Sequence, residues 1–106
     1  SKDEPKLRVK AGLMLGRCFS EEGWHRDAID EFRETLDAID ATNRDVEQDI
    51  RYELMVSLIA HAGEEQSVDV AKDALDICSA IMRKDIGFRD IRARRKEIDA
   101  LIKELS

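Results

Sequence analysis

The side chains able to do chemistry in this chain are few and far apart. Its histidines are His25 and His61, and neither stands with a serine, cysteine or aspartate in the arrangement of a nucleophilic triad. Cys18 and Cys78 form no CxxC pair and have no histidine at metal-ligand spacing, so no metal site is predicted. Each cysteine falls on an apolar stripe, where an unpaired thiol packs as a small hydrophobe. Both therefore read as buried thiols in a reducing compartment. The run HAGEE places acids after His61, but not at the i, i+4 spacing of a helical zinc site, and it reads as a helix terminus. Gly16 and Gly23 lack the preceding strand that a phosphate-cradling loop requires. The residues argue against an enzyme and call for no cofactor.

Charge gives two further candidates. The chain carries a net charge of −6, which favours solubility and argues against nucleic-acid binding by the domain as a whole. Against that background Arg89, Arg92, Arg94, Arg95 and Lys96 form a basic cluster, a candidate electrostatic patch for an acidic partner or, as the last-ranked reading, for nucleic acid. No aromatics interleave with it. The plainer expectation is a solvated helix face that offsets Asp69, Asp73 and Asp76. Asp27, Asp30, Glu31, Glu34 and Asp37 read in the same way, as a solubilising outer face.

The elements that would position these groups are helices. A chain of 106 residues with 40% charged and 5% aromatic residues suits one domain of apolar stripes under a charged skin. Strand signals are nearly absent, and the 3.6-residue period recurs from end to end. The first helix starts at Pro5, with Asp3 or Glu4 ahead of it, and turns Leu7, Ala11, Leu15, Cys18 and Phe19 inward until Gly23 ends it. The second, about Trp24 to Asp40, buries Ala28, Ile29, Phe32, Leu36 and Ile39. After the linker ATNRD, the third runs from about Asp45 to Ala62 and is stopped by Gly63. It is apolar on two sides, with Ile50, Leu54 and Leu58 on one and Tyr52, Val56 and Ile59 on the other, so it is predicted to lie centrally. The fourth spans about Ser67 to Lys84 with Val68, Ala71, Leu75, Cys78 and Ile81 inward. Gly87 breaks that pattern, and the last helix runs from Phe88 to Leu105 with Phe88, Ile91, Ile98, Ile102 and Leu105 on one side. The longest apolar run, Leu54 to Ala62, is interrupted by Ser57 and His61 and is far short of the ~20 residues of a membrane span. No signal peptide precedes Pro5, so the expected location is cytoplasmic, and the opening SKDEP reads as part of a longer chain.

Residues 13 to 32, LMLGRCFSEEGWHRDAIDEF, resemble a tetratricopeptide repeat. They supply Leu15-Gly16, Phe19 three residues later, the turn at Gly23, then Ala28 and Phe32. Gly12 stands in the usual tryptophan slot and Asp40 in that of the closing proline. A degenerate second copy falls on Leu54, Leu58, Ala71, Leu75 and Cys78, with Met55 replacing the close-contact glycine. The ending DIGFRDIRARRKEIDAL is similar to the last helix of some bacterial repeat arrays, which points to a C-terminal segment of such a protein. The resemblance implies an all-α fold: a short helical solenoid of two antiparallel hairpins, residues 5–42 and 45–86, and a capping helix over 88–105, all in one domain.

It also implies a non-catalytic module that binds a protein or peptide partner on its inner surface, or else a structural segment that self-associates as a homodimer. Matching Leu15 to Leu54 and Phe19 to Leu58 sets Leu13 beside Tyr52 and Arg17 beside Val56, with Lys10 and Ile59 at the edges. These six are the candidate partner-binding residues. Leu7, Leu13 and Met14, with no preceding repeat to cover them, are the candidates for self-association.

Overall fold

The computed structural model describes residues 4–106, and Asp3, a candidate helix-start residue, lies outside them. The described residues are helical without a strand: α1 (Glu4–Glu21), α2 (His25–Asp37), α3 (Glu47–Glu65), α4 (Val68–Lys84) and α5 (Ile91–Leu105), with a short 3-10 turn at Arg44–Val46 before α3. Each helix packs mainly on the helix before it and the helix after it, with a slight additional contact between α1 and α3. The molecule measures 48 × 29 × 18 Å.

The α1–α2 pair is built on missing side chains. A Cβ placed on Gly16 would lie 2.3 Å from the ring of Phe32, and one on Gly12 would lie 2.1 Å from Oγ1 of Thr35. Both glycines are buried, as are Ala28, Phe32 and Thr35 opposite them. The two backbones approach because α1 has no atoms in the way, and Phe32 fills the space so released. Burying a side chain of that size contributes on the order of 2 kcal/mol. Thr35 satisfies its hydroxyl by donating to the carbonyl of Glu31 at 2.7 Å.

This geometry turns α1 the other way from the expected stripe. Its buried residues are Val9, Gly12 and Gly16, with Leu13 and Phe19 packed against the core, while Leu7, Ala11, Leu15 and Cys18 are exposed. Cys18 is thus a surface thiol, whereas Cys78 is buried as expected. Apolar residues surround α1 on nearly every side, and the requirement for close approach, not hydrophobicity, selects its inner face.

Gly23, at φ +80°, makes the turn into α2, where the amide of Trp24 donates to the carbonyl of Phe19 at 2.9 Å. The two rings meet at a tilt of 34°, with centroids 6.1 Å apart. At its far end α2 stops at Asp37, short of the expected Asp40. Gly63, by contrast, stops nothing: α3 continues to Glu65, and the left-handed closing position is taken by Gln66 at φ 53°. Ser67 then caps α4 by accepting from the amide of Val70 at 3.2 Å. Residues 86–90 form turns, so α5 begins at Ile91 instead of Phe88.

The core lies along α3. Ile50, Leu54, Met55 and Leu58 are buried there, against Ala71, Ala74, Cys78 and Ile81 of α4 and Ile91 and Ile98 of α5. Gln48 ties α3 to α4 by donating to the carbonyl of Ile81 at 3.3 Å. Glu47, buried at the start of α3, gathers three cations: Arg51, Arg44 at 3.3 Å and Lys84 at 3.9 Å.

Candidate functional site

The loop between α2 and α3 is organised by its own side chains. Asp40 accepts from both the amide (2.8 Å) and the hydroxyl (2.6 Å) of Thr42, and these bonds, the hydroxyl's first, hold its carboxyl below the usual aspartate range. Buried Asn43 accepts from the amide of Asp40 at 2.8 Å and donates to the carbonyl of Pro5 at 3.3 Å. The loop is thereby tied to the first turn of α1.

Between the two lies a cleft of about 620 Å³. Lys6, Val9, Lys10 and Leu13 of α1 form one wall, and residues 41–46 form the other. Its surface is chiefly apolar, from Val9, Leu13 and Val46, and its rim carries Lys6, Lys10 and Arg44 against the single acid Asp45. Arg44 is engaged by Glu47, but neither lysine makes an ion pair among the described residues. An apolar floor under an ammonium rim suits an anionic segment with one apolar side chain to bury.

Further along α1 the surface closes. Arg17 reaches across to Glu53 of α3, Nε to Oε1 at 3.3 Å, and so bridges the two helices instead of standing free. Beyond it Tyr52 is only 9% exposed. The guanidinium of Arg89 lies 4.6 Å above the Tyr52 ring, and Phe88 packs beside it at 6.1 Å between centroids. Tyr52 donates its hydroxyl proton to Asp90 at 2.5 Å and accepts from Nε of Arg94 at 3.1 Å. Burial, and after it the bond to Asp90, raises the tyrosine pKa against the opposing effect of Arg94. The residues leading into α5 therefore occupy the place over Tyr52 that a partner was expected to take. Val56 and Ile59 are half-buried and packed against the core.

Of the six candidate binding residues, the structure brings Lys10 and Leu13 together in the cleft and disposes of Arg17 and Tyr52 within the molecule. The sequence reading missed Lys6, Asn43 and Arg44, because residues 41–45 read as a plain linker. The available signal was Asp40, Thr42 and Asn43, a cluster of residue types that hydrogen-bond their own backbone.

The self-association candidates divide likewise. Leu7 and Met14 are exposed, but Leu13 is half-buried on the cleft side and does not share their face. The candidate electrostatic patch is largely neutralised. Arg89 pairs with Asp49 at 2.8 Å and Arg95 with Asp99 at 3.2 Å, while Arg94 pairs with Asp90 and Glu97. Only Arg92 and Lys96 of the cluster carry no ion pair among the described residues. The acids that offset the cluster come from α3 and from residues 90–99, not from Asp69, Asp73 and Asp76 of α4; Asp73 pairs with Arg33 of α2.

Among the described residues no group of histidines, cysteines and acids is placed to hold a metal ion, and no helix is long and apolar enough to cross a membrane. Comparison with protein-family models, with curated proteins and with solved structures found no match to this chain.

Proposed function

We propose that this protein is a non-catalytic interaction module of tetratricopeptide type, and that it holds a partner peptide in the cleft between α1 and residues 41–46. On this reading α1 with α2 and α3 with α4 are two stacked antiparallel hairpins capped by α5, a short solenoid acting in the cytoplasm. Packing of each helix chiefly on its chain neighbours supports the solenoid, as do the glycine contacts of α1 with Phe32 and Thr35. The observation that carries the function is the apolar cleft edged by Lys6 and Lys10, two cations without an ion pair among the described residues. It favours a ligand with an apolar anchor flanked by acids.

Fluorescence anisotropy tests this with labelled twelve-residue peptides. One set carries a central Leu or Phe between acidic residues; the controls have lysine in place of the acids or alanine in place of the anchor. The acidic, anchored set is expected to bind best, with affinity reduced at least about tenfold by Lys10→Glu or Leu13→Asp. Circular dichroism establishes that the variants stay folded. Equal binding of all sets, or binding indifferent to both substitutions, overturns the proposal.

A further inference from the structure

The outer side of α1 carries a second surface, independent of the cleft. Leu7, Ala11, Met14 and Cys18 recur at alternating steps of four and three, the seam spacing of paired helices, and Leu15 lies beside Met14. All five are exposed, Leu7 at 62% and Met14 at 58%.

The equivalent stripe of α3 is covered. Glu64 pairs with His25 of α2 at 3.5 Å, so the residues below Glu64 on the same side of the helix, Ser57, Leu54 and Ile50, face α2. All three are buried. In the register that sets Leu15 on Leu54, their counterparts in α1 are Cys18, Leu15 and Ala11. Among the described residues, none covers α1 as α2 covers α3.

We propose that a second copy of this chain covers the stripe, with the two α1 helices antiparallel about a twofold axis. The opposite end of the molecule favours this occupant. The outward side of α5 presents Arg92, Lys96, Glu97, Asp99, Lys103 and Glu104 with Ala93 and Ala100 between them, all exposed, so it offers no large apolar side chain for head-to-tail stacking. Among the described helices α1 alone presents a row of large exposed apolar side chains, Leu7, Met14 and Leu15, so α1 against α1 buries such side chains on both sides, and the contact closes at two copies.

Charge selects the direction. The first half of α1 carries Glu4, Lys6 and Lys10, with Arg8 engaged by Glu34 at 4.0 Å, while Glu21 and Glu22 stand at its end and Arg17 is engaged by Glu53. Antiparallel packing brings Lys6 and Lys10 of each helix toward Glu21 and Glu22 of the other and sets Glu4 opposite the partner's Glu21, whereas parallel packing opposes like charges along the whole helix. Size agrees, because full overlap of Glu4–Glu21 sets Leu7 against the partner's Cys18 and Ala11 against the partner's Met14, large against small each time. A single helix pair about 27 Å long buries less than a standard interface, so the dimer exchanges in the micromolar to submillimolar range.

Sedimentation equilibrium of the full chain, from about 10 μM to about 1 mM, tests this. The expected result is a monomer–dimer equilibrium weakened at least about tenfold by Met14→Glu or Leu15→Glu, with unchanged circular dichroism. Leu7→Cys supplies a second readout. Residues 7 and 18 of one helix are too far apart to join, so oxidation of that variant should link two chains through Leu7→Cys and the partner's Cys18, while the wild type stays unlinked. A monomer at every concentration, a species larger than a dimer, a dimer indifferent to both glutamate substitutions, or ready linkage of wild-type chains through Cys18 overturns the proposal.

Discussion

Tyr52 of α3 and Asp90, the residue just before α5, are joined by a hydrogen bond of 2.5 Å that fastens the last helix to the middle of the chain. Arg89 completes the closure. Held at φ 43°, it places its guanidinium over the Tyr52 ring and on Asp49.

That closure is predicted to fail at alkaline pH. Burial raises the pKa of Tyr52, and burial likewise raises that of the Cys78 thiol, so both neutral forms are favoured by folding. Their stabilisation is complete below the unfolded-state values, about 9 for the thiol and 10 for the phenol, and is lost as pH rises through the higher folded-state values. Stability measured by urea unfolding should fall from about pH 9 upward. Tyr52→Phe should cost about 1–2 kcal/mol at neutral pH and flatten the part of that fall above pH 10. An unaltered profile in the variant would contradict the burial of the hydroxyl.

Two glycine substitutions should act with opposite sign. Gly16→Ala drives a methyl group into the buried Phe32 ring and should cost about 1–3 kcal/mol. Gly63→Ala puts a methyl group into empty space in the last turn of α3 and should stabilise by about 0.5–1 kcal/mol. Gln66→Gly, at the left-handed end of the same helix, should also stabilise. Thermal unfolding of the three variants reads all the signs.

Gly12 and Thr35 should be coupled. Gly12→Ala collides with the threonine hydroxyl, and Thr35→Ala removes the colliding atom. The double variant should be less destabilised than the sum of the single ones, by about 1 kcal/mol in a double-mutant cycle. Strict additivity would mean that the helices part rather than collide.

Glu47 should be among the most sensitive charged positions. Replacing it by Ala leaves Arg44, Arg51 and Lys84 converging on a site without an anion, at a cost of about 1–3 kcal/mol in chemical unfolding. Added salt should narrow the gap from wild type, because two of the cations are half-exposed or more.

The sequence by itself determined the helices and their order, while several of their ends fell a few residues from where local signals put them. Periodicity marks apolar stripes on α2 and α4, Gly23 supplies a positive φ, and Ser67 can cap a helix; each is a local property of neighbouring residues. Lys10 and Leu13 entered as candidates through the repeat register that set α1 on α3, and the structure places both on the wall of the cleft. The tertiary structure alone decided which side of α1 lies inside. Leu7, Leu15, Val9 and Leu13 all invite burial, but only the side with Gly12 and Gly16 lets another backbone come near, and a glycine adds nothing to a hydrophobic pattern. The fate of Tyr52 was also beyond local reading, because Arg89 and Asp90 reach it through a turn far along the chain. Gly63 shows the same limit in reverse: a residue that ends helices elsewhere stays within α3, and the left-handed position falls three residues later at Gln66. Propensity acts over one turn of chain, whereas burial is settled by whatever the rest of the molecule brings alongside.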